Sequence, residues 1–190
     1  MKLCIADPPY MGRAAVWYGD GMHATQAGVT KNGGPVKPAD NHPDAHLWDD
    51  IETHRAMVAN LVAEYDGWAI AMAHDNLRAY LPIIPADTPV RVGIWHKPQS
   101  MPGGARVVNA YEPVIIRIPE GRRSSSGAAI FPRDSVTISR INNGFPGAKP
   151  PAWTRWVLDM LGYDPETDTV DDLFHGSGAV AAEIAQGVLL

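Results

Sequence analysis

The 190-residue sequence contains little of what marks several large classes of protein. Its single cysteine, Cys4, excludes an internal disulfide and a cysteine metal cluster. No apolar run approaches the roughly 20 residues of a membrane span, and the first residues do not form a signal-peptide pattern. From these absences we predict a protein of the reducing cytoplasm with no membrane contact.

Two kinds of ligand site are also excluded. The sequence has no Gly-Lys-Ser or Gly-Lys-Thr, so it lacks a P-loop for nucleotide phosphates. His23, His42 and His46 match no metal motif in their spacing, and no metal site is predicted.

Because 45% of the residues are hydrophobic and only 19% are charged, residues 1–190 are expected to form one folded domain.

The net charge of −5 is unevenly distributed. Acidic residues dominate between Asp40 and Asp66, whereas between Gly103 and Arg155 eight basic residues outnumber three acidic ones. This basic segment predicts a phosphate-binding face. The alternative interpretation is an ordinary solvated basic surface.

The first ten residues combine a short apolar strand with the turn Asp7-Pro8-Pro9-Tyr10. The run from Leu3 to Ala6 is too short for a surface helix, and two prolines cannot continue a sheet ladder. Asp7 is therefore predicted at the carboxyl end of a strand, where open α/β sheets bind their ligands.

This turn has the groups needed to activate an exocyclic amine on a nucleobase. Such an amine is a weak nucleophile because its lone pair is delocalised into the ring. Asp7 and the Pro8 carbonyl can accept its hydrogens and free that lone pair, and Tyr10 offers a flat surface to an unstacked base, a contact worth roughly 1–3 kcal/mol. The alternative is a surface Pro-Pro turn with a helix-capping Asp.

A glycine turn lies near the other end of the chain. The stretch 169–184 is typical of a strand, a turn and a helix, and Gly176 and Gly178 let the backbone approach a ligand closely. The following helix N-terminus favours a polar or anionic group. Taken alone, the spacing Gly176-x-Gly178-x-x-Ala181 also fits a dinucleotide site.

Together the two motifs resemble those of the β-order DNA adenine-N6 methyltransferases, which use S-adenosylmethionine (SAM). In that family the Asp-Pro-Pro-Tyr motif precedes the cofactor motif D-x-F-x-G-x-G, which residues 172–178 match here. Residues 94–98 followed by 111–116 are similar to the family's hairpin region. Residues 149–153 are similar to the motif beside the methionine end of the cofactor, so the resemblance covers most of the chain.

The resemblance implies a fold, a reaction and a set of site residues. The fold is a Rossmann-like α/β sheet with flanking helices that lacks the last two strands usual in the family. The reaction is methyl transfer from SAM to the N6 amino group of adenine in DNA. The implied catalytic residues are Asp7, Pro8, Pro9 and Tyr10; the cofactor-binding residues are Asp7, Lys149, Pro150, Asp172, Phe174, His175, Gly176, Ser177 and Gly178; the DNA contacts are Arg122, Arg123, Arg133 and Arg140.

The secondary structure around these motifs follows from hydrophobic periodicity and breakers. The predicted strands are 3–6, 68–73, 90–95, one within 107–118, and 170–174, and the predicted helices are 46–65, 76–81, 153–161 and 179–186. The polar stretches 11–45 and 121–148 are predicted to be loops that contact DNA, since long loops in compact domains are usually functional.

Other functions stay open. An N4-cytosine DNA methyltransferase uses the same geometry, although such enzymes more often carry Ser at the position of Asp7. A 5-methylcytosine enzyme needs a cysteine nucleophile after proline, which the chain lacks, and protein glutamine methylation usually goes with Asn-Pro-Pro-Tyr. The remaining alternative is a catalytically inactive relative that binds DNA or a partner protein.

The end of the chain motivates that last alternative. Family members normally continue after the cofactor motif into two further strands, the first ending in an acidic residue that holds the cofactor's ribose. Strand 170–174 is therefore expected at an edge of the sheet. A second copy of the chain or another protein is expected to cover that edge.

Overall fold

The computed structural model describes residues 1–19, 42–98, 100, 106–124, 131–141, 147–176 and 178–187. Its strands are β1 (Lys2–Ala6), β2 (Gly67–Ala71), β3 (Arg91–His96), β4 (Tyr111–Arg117), β5 (Ser135–Thr137) and β6 (Thr169–Asp172). Its helices are α1 (Ala14–Tyr18), α2 (Ile51–Glu64), α3 (Leu77–Tyr80), α4 (Pro151–Leu161) and α5 (Ala179–Gly187). Short 3₁₀ segments span Ala45–Asp49, Leu81–Ile83 and Glu120–Arg122.

The described strands form a sheet in the order β5-β3-β4-β2-β1-β6. β1 pairs in parallel with β2 and β6, and β5 pairs in parallel with β3. β4 runs antiparallel between β2 and β3. The carboxyl ends of every described strand except β4 therefore meet at one edge, which we call the carboxyl edge, and their amino ends meet at the opposite, amino edge. This arrangement confirms the predicted α/β sheet with flanking helices.

β1 lies between two layers of helices and is buried on both faces. Leu3 and Ile5 pack in a core cluster with Trp153 of α4, whereas Cys4 and Ala6 pack in a second cluster with the apolar side of α2. All four strand residues are 0% exposed. Such two-sided burial explains why the strand is a continuous apolar run in the sequence.

The predicted helix 46–65 is two elements in the structure. The 3₁₀ segment Ala45–Asp49 ends at Asp50, whose backbone is extended with φ −94° and ψ 131°. The Asp50 side chain then accepts the backbone N–H of Glu52 and caps α2. The apolar repeat continues across this break, and the acidic residues around Asp50 also suit the first turns of a single longer helix.

Two short elements lie inside stretches that were predicted to be loops. α1 falls within 11–45, and its first backbone N–H groups, of Ala14 and Ala15, donate to the carboxylate of Asp49. β5 falls within 121–148 and is three residues long. Neither has a local sequence signal, since one depends on a distant cap and the other on pairing with β3.

β6 is the last strand at its side of the described sheet, as predicted. Val170 packs against the first core cluster, and Leu173 and Phe174 pack against the second. The strand also carries Asp171 and Asp172, and acidic side chains discourage further strand pairing at an edge. A second copy or partner protein on this edge stays a prediction. None of the helices in the described segments has the length and apolar character to cross a bilayer.

Candidate functional site

The Asp-Pro-Pro-Tyr turn lies at the carboxyl edge, directly after β1. Lys149 reaches the turn from the segment that leads into α4. Its Nζ lies 2.7 Å from each carboxylate oxygen of Asp7 and 3.0 Å from the Tyr10 hydroxyl. Because Lys149 is only 5% exposed, its charge requires these partners. Motifs from opposite ends of the sequence therefore meet in one site.

Two more charged side chains, which the sequence analysis did not assign to the site, join this group. Glu112 on β4 accepts a 2.9 Å hydrogen bond from the Tyr10 hydroxyl and forms a 2.6 Å ion pair with Lys97. The Glu112 Oε2 also lies 3.9 Å from the Lys149 Nζ. We call Asp7, Lys149, Glu112 and Lys97 the charge cluster. Its carboxylates and ammonium groups alternate, so their formal charges cancel.

The charge cluster shifts the pKa values of its members. Burial raises the pKa of Asp7, and Lys149 opposes that rise. Burial also acts to raise the pKa of Glu112, but Lys149 and Lys97 outweigh it and leave this pKa below its usual value. Burial and the nearby carboxylates raise the pKa of Tyr10 well above its usual value. Tyr10 is thus a neutral hydrogen-bond donor, and Asp7 is the carboxylate better able to take up a proton.

Two adjoining cavities open around the turn. The smaller has a volume of about 160 Å³ and the larger about 420 Å³. Pro8 and Tyr10 line the smaller cavity, whereas Pro9 lines the larger one. The residues that line both are Asp7, Tyr18, Gly147 and Lys149. Asp7 therefore lies where the two cavities meet.

The glycine turn after β6 forms one wall of the larger cavity. Gly176 and Gly178 have φ values of 41° and 74°, which side-chain-bearing residues rarely adopt. The Asp172 Oδ1 accepts the Phe174 backbone N–H at 3.2 Å, whereas its Oδ2 is buried without a protein partner. Burial raises the pKa of Asp172. A buried carboxylate oxygen without a partner is suited to accept a hydrogen bond from a ligand.

The 3₁₀ segment Ala45–Asp49 also contributes to the lining of the larger cavity. Trp48 lines the larger cavity, and its ring contacts the Phe174 ring edge to face, with centroids 4.8 Å apart. In the sequence this segment looks like the first turn of an amphipathic helix. The sequence therefore gave no indication that Trp48 belongs to a site, and only its contact with Phe174 beside the larger cavity identifies it.

The structure separates the predicted DNA contacts into two groups. Arg122 forms an ion pair with Asp168 at the amino edge. Arg123 donates to the carbonyl of Ile118, just beyond the carboxyl end of the antiparallel β4, and Arg133 precedes β5. All three arginines thus lie toward the amino edge of the sheet, away from Asp7. Arg140 follows β5 and lies toward the carboxyl edge.

The remaining predicted site residues take different positions. His175 and Gly176 line the larger cavity. Pro150 lines neither cavity, but it caps α4, and its carbonyl accepts the backbone N–H of Trp153. Ser177 lies outside the described residues, as do 20–41, 125–130 and 142–146 of the predicted DNA-contacting loops. Within the described segments, no group of His, Cys, Asp and Glu side chains is arranged to hold a metal ion.

Comparisons with known proteins establish the fold. Neither a protein-family model nor a curated protein sequence matches the chain. Among solved structures, the crystal structure of M1.HpyAVI in complex with SAM is similar, with a TM-score of 0.58. The match covers 97% of this chain and 78% of that chain at 16% sequence identity. The two proteins therefore have the same type of α/β fold.

Proposed function

We propose that the protein is a SAM-dependent methyltransferase that acts on the N6 amino group of adenine in DNA. The observation that carries this proposal is the position of Asp7, which lines both cavities at the end of β1. A methyl donor in the larger cavity and an amine in the smaller one would meet at this carboxylate. The likeness to the M1.HpyAVI complex with SAM supports SAM as the ligand of the larger cavity.

The larger cavity offers a partner for each charged end of the methionine part of SAM. The buried Asp172 Oδ2, which has no protein partner, would accept a hydrogen bond from the ammonium group. The N-terminus of α5 begins just after the glycine turn, and its backbone N–H groups and dipole favour a carboxylate. Phe174 and Trp48 supply apolar surface beside them. These residues fit a zwitterionic ligand that also has a large hydrophobic part.

SAM, when bound, would supply a methyl group that is activated by the adjoining sulfonium. Asp7 and the Pro8 carbonyl would accept the two hydrogens of the amine and direct its lone pair toward the larger cavity. Asp7 would also accept the proton that the amine must lose. Because burial raises the pKa of Asp7, its carboxylate is suited to take up that proton.

Tyr10 and Lys149 would hold the reacting groups in place. The Tyr10 hydroxyl is fixed by Glu112 and Lys149, so its ring has a defined orientation against which a base can stack. Lys149 holds both oxygens of Asp7. We expect a single unstacked base to enter the cavity beside Tyr10, which in a duplex costs a few kcal/mol of unstacking.

The proposal is tested in two steps. Calorimetric titration with SAM should give saturable binding to the parent protein. Incubation with DNA and SAM labelled on its methyl group, followed by digestion and chromatography, should then place the label in N6-methyladenine. Label in N4-methylcytosine instead would establish the cytosine alternative, and the absence of SAM binding would contradict both.

A further inference from the structure

A fully buried histidine lies beside the candidate site without touching either cavity. His54, on α2, is 0% exposed. Its Nε2 lies 2.7 Å from the backbone carbonyl oxygen of Trp48, and its Nδ1 lies 2.6 Å from the Tyr80 hydroxyl. A carbonyl can only accept, so Nε2 must carry the proton, and the neutral ring then accepts from Tyr80 at Nδ1. Both hydrogen bonds are therefore used to fix one tautomer.

The partner of His54 carries a wall of the larger cavity. The Trp48 ring contacts the His54 ring at a centroid distance of 5.3 Å and the Phe174 ring at 4.8 Å, both edge to face. Trp48 and Phe174 line the larger cavity, whereas His54 does not. The hydrogen bond from His54 thus holds the backbone of Trp48, whose side chain borders the proposed cofactor site.

The next residue extends this connection toward the smaller cavity. Asp49 accepts the backbone N–H groups of Ala14 and Ala15 at 2.9 and 3.1 Å, and so caps α1. α1 ends at Tyr18, which lines both cavities. The segment Ala45–Asp49 is therefore held by α2 on one side and holds α1 on the other.

We propose that His54 is a positioning residue for the SAM site and acts through its hydrogen bond to the Trp48 carbonyl. This inference rests on the proposed function, because it assigns SAM to the larger cavity. Since His54 lines neither cavity, its loss is expected to weaken SAM binding while leaving the chemical step at saturating SAM unchanged. A purely structural histidine would lower stability without changing SAM affinity.

Two substitutions of this side chain separate its hydrogen bonds. In His54→Gln the amide nitrogen reaches about as far as Nε2 and can still donate to the Trp48 carbonyl. In His54→Asn the amide reaches only about as far as Nδ1, so it can accept from Tyr80 but no longer reaches Trp48. Both variants lose the ring and its packing. Tyr80→Phe is the matched control, because it removes the other hydrogen bond and leaves the bond to Trp48.

SAM dissociation constants of the variants give the main test. We expect the Kd of His54→Asn to rise about tenfold, because SAM binding must then order the Trp48 segment that one buried hydrogen bond holds in the parent protein. The Kd values of His54→Gln and Tyr80→Phe should stay within about threefold of the parent. An unchanged Kd in folded His54→Asn would overturn the inference. Absence of SAM binding by the parent protein would instead contradict the proposed function.

A measurement on the parent protein needs no variant to fold. Nitrogen NMR of the His54 ring should show a neutral imidazole with its proton on Nε2, and that signal should shift when SAM is added, because Trp48 links it to the cavity. A ring signal that stays unchanged at saturating SAM would contradict the inference even where SAM binds tightly. Protonation on Nδ1 alone would contradict the assigned hydrogen bond to Trp48.

Discussion

The Lys149 Nζ lies 2.7 Å from both carboxylate oxygens of Asp7, although 142 positions separate the two residues in the chain. Glu112 and Lys97 continue the same alternation of charge at the carboxyl edge. Removing one charge from such a buried group leaves a neighbouring charge unpaired, and this lowers the free energy of unfolding more than the loss of a surface ion pair does. The site therefore depends on the whole charge cluster rather than on the Asp-Pro-Pro-Tyr turn alone.

The first prediction concerns Asp7. Asp7→Asn keeps the shape of the side chain but removes the carboxylate that would accept both an amine hydrogen and the released proton. We expect methyl transfer to fall by at least about a hundredfold, with SAM binding largely retained because Asp172 and the glycine turn are unchanged. Labelled methyl transfer and calorimetry on the same preparation measure the two effects.

Asp75→Asn serves as the control for Asp7→Asn. Asp75 also lies at the carboxyl edge and forms an ion pair with Arg13, but it is half exposed and lines neither cavity. Its loss should leave the rate near that of the parent. Equal activity of Asp7→Asn and the parent protein would show that the carboxylate is not catalytic.

The second prediction concerns the Tyr10 hydroxyl. From the sequence, Phe at this position would preserve the stacking face. In the structure the hydroxyl also serves Glu112 and Lys149, so Tyr10→Phe should retain part of the activity while lowering the free energy of unfolding by about 1–3 kcal/mol. Tyr10→Ala should abolish activity. Urea unfolding and methyl-transfer rates test this division.

Tyr65→Phe is the matched control for Tyr10→Phe. The Tyr65 hydroxyl donates a 2.8 Å hydrogen bond to Asp171, on β6 and outside both cavities. The Tyr65→Phe variant should have a lower free energy of unfolding than the parent and the same methyl-transfer rate. If Tyr10→Phe and Tyr65→Phe lost activity alike, the effect would reflect folding rather than base binding.

The sequence predicted those parts of the site that lie within single motifs. Asp7 follows an apolar strand, and Gly176 and Gly178 precede a helix. These two patterns have a local physical cause, in a strand end and in a positive φ, whereas Lys149 was indicated only by the resemblance of residues 149–153 to the family motif. Their meeting at one edge followed from the expected parallel sheet, which β1, β2 and β6 form.

The parts that could not be predicted depend on long-range register. Lys97 meets Glu112 because Trp95 pairs with Glu112 across β3 and β4, and the sequence does not specify that register. Trp48 and His54 looked like residues of one helix, and their hydrogen bond exists only because Asp50 breaks it into two elements. Arg122 looked like a phosphate contact, although its partner Asp168 is 46 residues away.

The third prediction is a double-mutant cycle on Lys97 and Glu112. The two side chains are 7% and 18% exposed, so Glu112→Gln leaves a buried ammonium group unpaired and should lower stability by roughly 3 kcal/mol. The double variant Lys97→Met, Glu112→Gln removes both charges and should be more stable than Glu112→Gln alone. If the double variant changed the free energy of unfolding by the sum of the changes in the two single variants, the result would contradict this coupling.

The fourth prediction concerns the dependence of stability on pH at the amino edge. The Asp168 side chain is 0% exposed. Burial acts to raise its pKa, but hydrogen bonds from Arg122, the amino-terminal ammonium group and the Asp164 backbone N–H hold it well below the usual value of 3.8. A carboxylate whose pKa is lower in the folded state stabilises the protein above its unfolded pKa, and this stability is lost as the pH falls.

Asp168→Asn tests the fourth prediction. The parent protein should lose stability as the pH falls below about 4, and the variant should start lower at neutral pH and show a smaller loss in that range. Urea unfolding across the pH series measures both. Parallel curves for the two proteins would mean that Asp168 does not contribute to the acid dependence.

The last prediction concerns Asp172 and the proposed cofactor. Its Oδ2 is buried without a partner at the larger cavity, while its Oδ1 accepts the Phe174 N–H. Asp172→Asn can keep the bond to Phe174 but replaces the free acceptor with an N–H₂ donor, which would oppose the ammonium group of SAM. We expect SAM affinity to fall at least tenfold, or about 1.4 kcal/mol.

Asp171→Asn is the control for Asp172→Asn. It removes the same charge from the neighbouring position of β6, which lines neither cavity, and it should bind SAM like the parent. Burial raises the pKa of Asp172, so SAM binding by the parent should weaken as the pH falls toward that raised pKa, and Asp172→Asn should lack this dependence. Calorimetric titrations of the three proteins with SAM across a pH series measure both effects. Equal losses of SAM affinity in the two variants would indicate a general effect of charge. Unchanged SAM affinity in Asp172→Asn would remove Asp172 from the proposed site.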